Sequence, residues 1–400
     1  MYLSTLDKPK TTNWKGISGN VFALGTVSLI TDVSSEMVAS ILPLYLVIGL
    51  QLSPAAYGVI DGLYTGATTL LRLVGGYVAD RTTKRKAVAG TGYALSAVAK
   101  LGLLAAGNAT TVLGLVITAD RAGKGLRTAP RDALITLSTP EKDLGRAFGV
   151  HRAMDGIGAF AGPLVALAVL AAANQQFDSV FVTSFCIATL GVIVLILFVQ
   201  DKQAVTAPKE RLKLGLLRDR KVQKLVLAAS ILGMATIGDG FVYLLIQKRE
   251  NLTIGWFPLL AVGTSLGYLL LAAPLGALAD RIGRKKMLLC GYGALAVAYL
   301  LIHGPITGWP LVVMVIALYG VFYAATDGVL MALAGPVLPE RLRTTGIALI
   351  QSGQALAYLG SSVLFGLAWQ FWGPETATRI AAAAVVVAAT ATAALLRSTK

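Results

Sequence analysis

The stretch GALADRIGRKK, residues 276–286, decides how this chain folds. It is a short charged turn between two apolar runs, LLLAAPL before it and MLLCGYGALAVAYLLI after it. Nearly the same turn stands earlier as GYVADRTTKRK, residues 76–86, again between apolar runs. Asp80 and Arg81 align with Asp280 and Arg281 at an offset of 200. A charged turn written twice, half a chain apart, points to duplication.

The surroundings say what was duplicated. The 400 residues are 56% hydrophobic and 14% charged, with a mean hydropathy of +0.71. Soluble domains carry about 25% charged residues. Runs such as CIATLGVIVLILFV (186–199) and IAAAAVVVAATATAALL (380–396) are expected to cross a membrane. Turn signals divide the chain into twelve such segments: 18–48, 55–79, 87–107, 112–136, 144–173, 178–199, 223–247, 255–279, 287–303, 310–336, 343–370 and 376–396. The first 16 residues are polar and lack the apolar core of a signal peptide. The two cysteines, Cys186 and Cys290, read as small apolar fillers, not as a disulfide or metal framework.

The net charge of +15 could suggest a nucleic-acid partner, but its placement argues otherwise. Basic residues gather in alternate connections: Arg81, Lys84, Arg85 and Lys86; Lys142 and Arg146; Arg281, Arg284, Lys285 and Lys286; Arg341 and Arg343. Residues 200–224 add eight more. The opposite connections near 49–54, 108–111, 174–177 and 304–309 have none; Lys248, Arg249 and Arg379 are the exceptions. The positive-inside rule therefore expects both termini in the cytoplasm of a multi-pass inner-membrane protein. The expected organisation is a cytoplasmic segment 1–17, a six-helix bundle 18–199, a cytoplasmic linker 200–222 and a second six-helix bundle 223–400. Asp32 with Asp239, and Asp120 with Asp327, repeat at an offset of 207, which supports two homologous halves. Halves of this kind enclose a central pathway and rock about it in many secondary transporters.

The duplicated turn resembles the loop signature of the major facilitator superfamily. Gly276, Ala279, Asp280, Arg281, Gly283, Arg284 and Lys285 follow it throughout; Gly76, Ala79, Asp80, Arg81, Lys84 and Arg85 follow it except at Thr83, where glycine is usual. The resemblance implies an all-α fold of twelve transmembrane helices in two pseudo-symmetric bundles, with the turns acting as a gate. A carboxylate at such a turn can pair with a facing cation or helix N-terminus and hold one side shut.

Ionisable residues inside a bilayer face a cavity or a partner. The first half holds many of them: Asp32, Glu36, Asp61, Arg72, Lys100, Asp120, Arg121, Lys124, Arg127, Arg131, Asp132, His151, Arg152 and Asp155. Asp32 and Glu36 share a helical face, and Asp32 is mid-span, a position suited either to proton exchange or to a static pair with Arg121. Arg121, Lys124, Arg127 and Arg131 form a basic stripe on one third of the fourth span. Its outer members, Arg127 and Arg131, are expected to snorkel to the membrane surface. Arg121 with Gly125 resembles the superfamily's fourth-span signature, which implies a part in proton transfer; Lys124 stands where glutamine is usual and suggests an acidic ligand. Asp155, Gly158 and Gly162 recur as a smooth stripe ahead of Pro163, and Gly158, Gly162 and Pro163 resemble the core of the antiporter signature, although the glycine pair that should follow is absent. Asp155 either pairs with Arg152 or serves coupling. In the second half, Asp239, Tyr243, Tyr319, Tyr323, Asp327, Gln351, Gln354 and Tyr358 recur at helical spacing and are expected to form an aromatic pocket or to pack helices.

The chain has no phosphate loop, zinc helix or serine elbow, so no enzyme and no cofactor are expected. The expected function is proton-coupled efflux of a small organic compound by a monomer in the lipid bilayer. Exchange or uptake of an anion, metal-cation export, and a non-transporting sensor or scaffold remain the alternatives; two histidines and two buried cysteines offer few soft ligands for a metal.

Overall fold

A computed structural model describes residues 18–81, 84–140, 143–201, 219–327, 329–334, 338 and 343–396, with the side chains of 70, 72–81, 332 and 343–345 outside the description. The side chains of Gly76, Asp80 and Arg81, and most of the linker 200–222, therefore lie outside the described residues.

Among the described residues the regular structure is entirely helical. Helix α1 (Gly19–Leu44) runs into a π-helical turn, Tyr45–Gly49, after Pro43. It is followed by α2 (Pro54–Arg81), α3 (Arg85–Ala105), α4 (Thr110–Leu137), α5 (Leu144–Ala172) and α6 (Phe177–Phe198). Then come α7 (Arg220–Ala235), α8 (Asp239–Glu250), α9 (Phe257–Ile282), α10 (Arg284–Leu301), α11 (Trp309–Thr326), α12 (Val329–Ala334) and α13 (Arg343–Leu395), which bends at Gly373.

Eight helical stretches among the described residues are long and apolar enough to cross a membrane. The last, Gly346–Leu395, has 50 residues, against about 20 for one crossing. The expected count of twelve is thus not marked by length and apolarity alone. Helices α2, α4 and α10 fall short because charged and small polar residues dilute them: α4 alone carries six charges between Asp120 and Asp132, and α10 begins with Arg284, Lys285 and Lys286.

Two sets of helices pack by one recurring pattern. In the first, α1 lies on α5 and α6, α4 on α2 and α3, and α3 on α6. In the second, α7 lies on α13, α11 on α9 and α10, and α10 on α13. The sets meet where α2 packs on α13 and α5 on α9. Glycine sets the distance at these crossings. A Cβ at Gly158 would stand 2.4 Å from the Leu29 carbonyl, and one at Gly162 would stand 2.7 Å from Glu36 Cβ, so the α5 stripe lets α1 approach at backbone distance.

The connections fall at two ends. One, the charged end, holds residues 81, 84–85, 138–140, 143, 199–201, 219 and 282–284. The other, the far end, holds 49–54, 105–110, 172–177, 250–257 and 301–309. The outer surface is apolar, with Leu197, Phe198, Leu269 and Val387 exposed. Cys186 and Cys290 are also exposed, so the expectation of buried cysteines is corrected: they face outward with the lipid-type side chains. At the far end Trp256 and Trp309 stack edge to face at 5.2 Å, and Trp372 is exposed nearby in sequence to the α13 bend, where indole rings suit a membrane boundary.

Arg249, an exception to the charge bias, has a structural task at the far end. Its guanidinium donates to the carbonyls of Leu301 at 3.4 Å, Gly304 at 2.6 Å and Ile306 at 2.8 Å, and to that of Ile302. They belong to the last residue of α10 and the connection after it, and the Leu301 carbonyl also accepts from the Gly304 amide at 3.0 Å. Glu250 completes the lock by accepting from the Gly308 amide at 2.7 Å. Arg379, another exception, pairs with Glu375 one turn earlier at 2.5 Å.

Candidate functional site

The basic stripe of α4 is matched, cation for cation, by carboxylates. Lys100 Nζ lies 3.4 Å from Asp120 Oδ1, and the guanidinium of Arg121 bonds the same carboxylate. Lys124 lies 3.8 Å from Glu36, Arg127 lies 3.5 Å from Asp32, and Arg131 lies 3.0 Å from Asp132 and 3.9 Å from Asp155. Five cations face five acids in a ladder across α1, α3, α4 and α5, and their formal charges balance. Removing charges from water costs several kcal/mol each, and pairing offsets that cost. Ser28 stitches the lower rung, donating to Asp155 at 2.7 Å and accepting from Arg131 at 3.0 Å. Tyrosine faces cover two guanidinium groups, Tyr64 at 4.0 Å from Arg121 and Tyr93 at 4.4 Å from Arg127.

Three expectations change here. Asp32 pairs with Arg127, not with Arg121, because Arg121 turns back to its neighbour Asp120. Arg127 is buried and Arg131 nearly so, and neither snorkels, since each finds a carboxylate within the bundle. Asp155 takes Ser28 and Arg131 as partners, while Arg152, one turn before it, is exposed.

The second wall centres on a broken helix. Between α7 and α8 the chain is extended at Thr236–Gly238. Tyr299 accepts from the Ile237 amide at 3.1 Å, and Tyr319 donates to the Ile237 carbonyl at 3.2 Å, so two hydroxyls satisfy the interrupted backbone. Asp239 opens α8 and accepts from Tyr323. Tyr243 donates to Thr264 at 2.9 Å instead of to Asp239. Tyr243 and Tyr319 are buried, so they hold helices together and do not line a pocket. Asp327 is exposed at the break after α11 and accepts from Tyr268 at 3.0 Å. Gln351 and Gln354 do reach open space: with Thr65, Thr69, Ser352 and Tyr358 they line a cavity of about 250 Å³ between α2 and α13.

The far side of this cavity is sealed by a seam absent from the sequence expectations. Gly58, Gly62 and Gly66 of α2 stand one turn apart against α13, where Cβ atoms would lie 2.3 Å from the Ser362 carbonyl, 2.9 Å from the Leu359 carbonyl and 2.9 Å from Leu359 Cδ1. Opposite, a Cβ at Gly366 would lie 2.4 Å from the Pro54 carbonyl. Tyr57, Phe241, Phe365 and Trp369 form an aromatic plug, with Tyr57 and Phe241 4.6 Å apart across the two sets. Asp61 sits in the seam and accepts from Ser362 at 2.6 Å and Tyr358 at 3.3 Å. The signal was present in the sequence as glycines at every fourth position around one acid.

At the charged end the 276–284 turn stands open. Gly283 has φ 99°, a left-handed conformation that favours glycine and lets α9 reverse into α10 without a linker. Asp280 is 66% exposed and pairs locally with Arg284 at 3.2 Å, Arg281 is exposed, and Gly276 has open space beside its Cα. Among the described residues Asp280 pairs within its own turn and makes no bridge to the first set.

A bundle of apolar-surfaced helices around a polar cavity, closed on one side by the α2–α13 seam, is an architecture that membrane transporters use. The comparisons agree. The family model of the Major Facilitator Superfamily matches residues 24–260 and 249–400. The chain belongs to that superfamily. It is 31% identical over 376 residues to an MFS-type transporter of Methanocaldococcus jannaschii, itself described as uncharacterized, covering 91% of both chains. It is 32% identical over 171 residues to an uncharacterized protein of Mycobacterium tuberculosis, covering 42% of this chain and 40% of that protein. Among solved structures, the nucleoside transporter NupG superposes with a TM-score of 0.79 at 14% identity, covering 95% of this chain and all (100%) of the other. A bacterial homologue of the human lysosomal transporter Spinster, inward-facing and occupied, superposes with a TM-score of 0.69 at 16% identity, covering 94% of this chain and 96% of the other. At these identities the structural neighbours show the fold.

Proposed function

We propose that the protein is a secondary transporter that exports a small organic compound in exchange for protons, through twelve crossings in two homologous halves. Residues 220–250 count as one crossing broken at 236–238, Trp309–Ala334 as one broken at Asp327, and α13 as two divided at Gly373. The reading places the basic end in the cytoplasm and the α2–α13 seam on the opposite side.

One observation carries this reading: a polar cavity closed by the α2–α13 seam toward the far end, while Asp280, Asp327 and Arg152 are exposed toward the charged end. That is one of the two states alternating access requires. The amides of Gln351 and Gln354 and the hydroxyls around them suit a solute with hydrogen-bonding groups. Asp32, Glu36, Arg121 and Asp155 belong to the ladder along which protons are proposed to pass. The basic stripe supports anion exchange less well, since each of its cations already has a carboxylate.

The test is flux. Purified protein is screened for ligands by thermal stabilisation, and the hits are followed in vesicles under an imposed pH gradient. Accumulation that collapses with the gradient supports the proposal. A ligand that binds and is never moved supports a sensor.

A further inference from the structure

Resting on the transporter reading, we infer that Asp61 is the proton-linked residue of the far-end seal: protonated, it lets α2 and α13 close, and ionised, it drives them apart. The argument starts from a contrast among the buried acids. Asp32, Glu36, Asp120 and Asp155 each lie within 4 Å of a lysine or arginine. Asp61 and Asp239 form no such ion pair among the described residues. Asp61 takes hydrogen bonds from Ser362 and Tyr358, and Asp239 takes one from Tyr323.

Every element packed on Asp61 adds to the contrast. Its own helix offers the phenols of Tyr57 and Tyr64, one turn away on either side. Helix α13 offers Tyr358 and Ser362. The break before α8 brings Gly238 so close that its Cβ would stand 2.3 Å from Asp61 Oδ2, and the next residue is Asp239, a second acid. Behind Tyr64 stands Arg121, committed to Asp120. Behind that, Glu36 of α1 is paired with Lys124. A carboxylate held this way has hydroxyl donors but no counter-charge, and a like charge next door.

Such a group ties its proton to conformation. Sealed in the seam, the ionised form has lost water and gained no cation, which is costly. Parted from α13, the same carboxylate meets water at the far end. Protonation removes the difference and favours the seal. Tyr358 also lines the cavity on the other side, so a proton taken from far-end water can leave Asp61 Oδ2 for water in the cavity, with the electron pair remaining on the carboxylate. Loss of that proton then favours reopening of the far end, the order that exchange for an exported solute needs.

The experiment measures distances in the full-length protein in lipid nanodiscs between pH 5.5 and 8.5. Cys186 and Cys290 are first changed to Ser. Spin labels at Gln51→Cys and Glu375→Cys report the far end, and labels at Thr136→Cys and Lys286→Cys report the charged end. In otherwise unaltered protein, acid shifts the far-end pair toward the short distance, with the sealed-to-parted ratio changing by at most tenfold per pH unit for one proton. Asp61→Asn stays sealed across the range, while Asp219→Asn, at the exposed N-cap of α7, keeps the response. Should Asp61→Asn fold poorly, Ser362→Ala supplies the test: losing a donor to the ionised form enlarges the pH swing. A full response in Asp61→Asn, or an unaltered swing in Ser362→Ala, overturns the inference while leaving transport standing. Sodium at fixed pH reproducing the effect of acid overturns the proton as the ligand. Ends that never alternate, with no flux, overturn the transporter reading itself.

Discussion

Substituting Gly58 by Ala adds a single methyl group at the tightest point between α2 and α13. The new carbon would stand 2.3 Å from the Ser362 carbonyl oxygen, 3.1 Å from its carbon and 3.3 Å from Gly366 Cα. All three are backbone atoms of a helix, so no side chain can swing away. Ordinary contact begins at 3.4 Å, and the helices must part by about 1 Å locally. Overpacking of this kind costs about 1–3 kcal/mol. The cost falls only on the sealed state. The gain in helix propensity, about 1 kcal/mol, is common to both states and cancels in their ratio. At about 1.4 kcal/mol per tenfold change, the parted state should gain a factor of roughly 5 to 150. Distances between labels at Gln51→Cys and Glu375→Cys report the shift, and Gly366→Ala, with its Cβ 2.4 Å from the Pro54 carbonyl, should do the same from the other helix. A folded Gly58→Ala protein with the unaltered distance distribution would refute the idea that this seam is what closes the far end.

Other outcomes follow from the charge ladder and the turns. Asp32→Asn strands a buried Arg127 and should cost about 3–5 kcal/mol in denaturant unfolding, while the double change with Arg127→Met recovers most of it; equal losses in both would mean the pair is not coupled. Glu36→Gln breaks a pair that is about 30% exposed on both sides and should cost under about 1 kcal/mol, discounted for solvent screening. Gly283→Ala forces a left-handed turn on an alanine and should lower stability by about 1–3 kcal/mol, read as a lower melting temperature. Arg249→Met removes the donors from four carbonyls at the end of α10 and should destabilise by about 1–3 kcal/mol with membrane orientation unchanged; an inverted topology would show that Arg249 acts on insertion instead.

The sequence by itself determined the class of fold. Apolar segments cut by charged turns specify membrane helices, because hydrocarbon tolerates only backbone that bonds within its own segment. The duplicated 76–86 and 276–286 turns pointed to the family, and the Gly158–Gly162 stripe marked a face of α5 that a helix could approach closely, which packing gave to α1. These readings are local: each depends on residues a few positions apart. Tertiary structure alone decided the partners. Helical spacing put Arg121, Lys124, Arg127 and Arg131 on one face, but it could not say that each would meet an acid, because those acids come from other helices or from a neighbour turned inward. The spacing of Tyr319, Tyr323 and Asp327 suggested one pocket, yet the two hydroxyls go to the α7–α8 break and the carboxylate to Tyr268 of α9. Asp61 stood in the list of buried charges without a role until α13 was laid against it, 301 residues away along the chain at Ser362. A hydrogen bond in a dry seam is set by which helices touch, and that is fixed by the packing of the whole bundle, not by the pattern along any one strand of sequence.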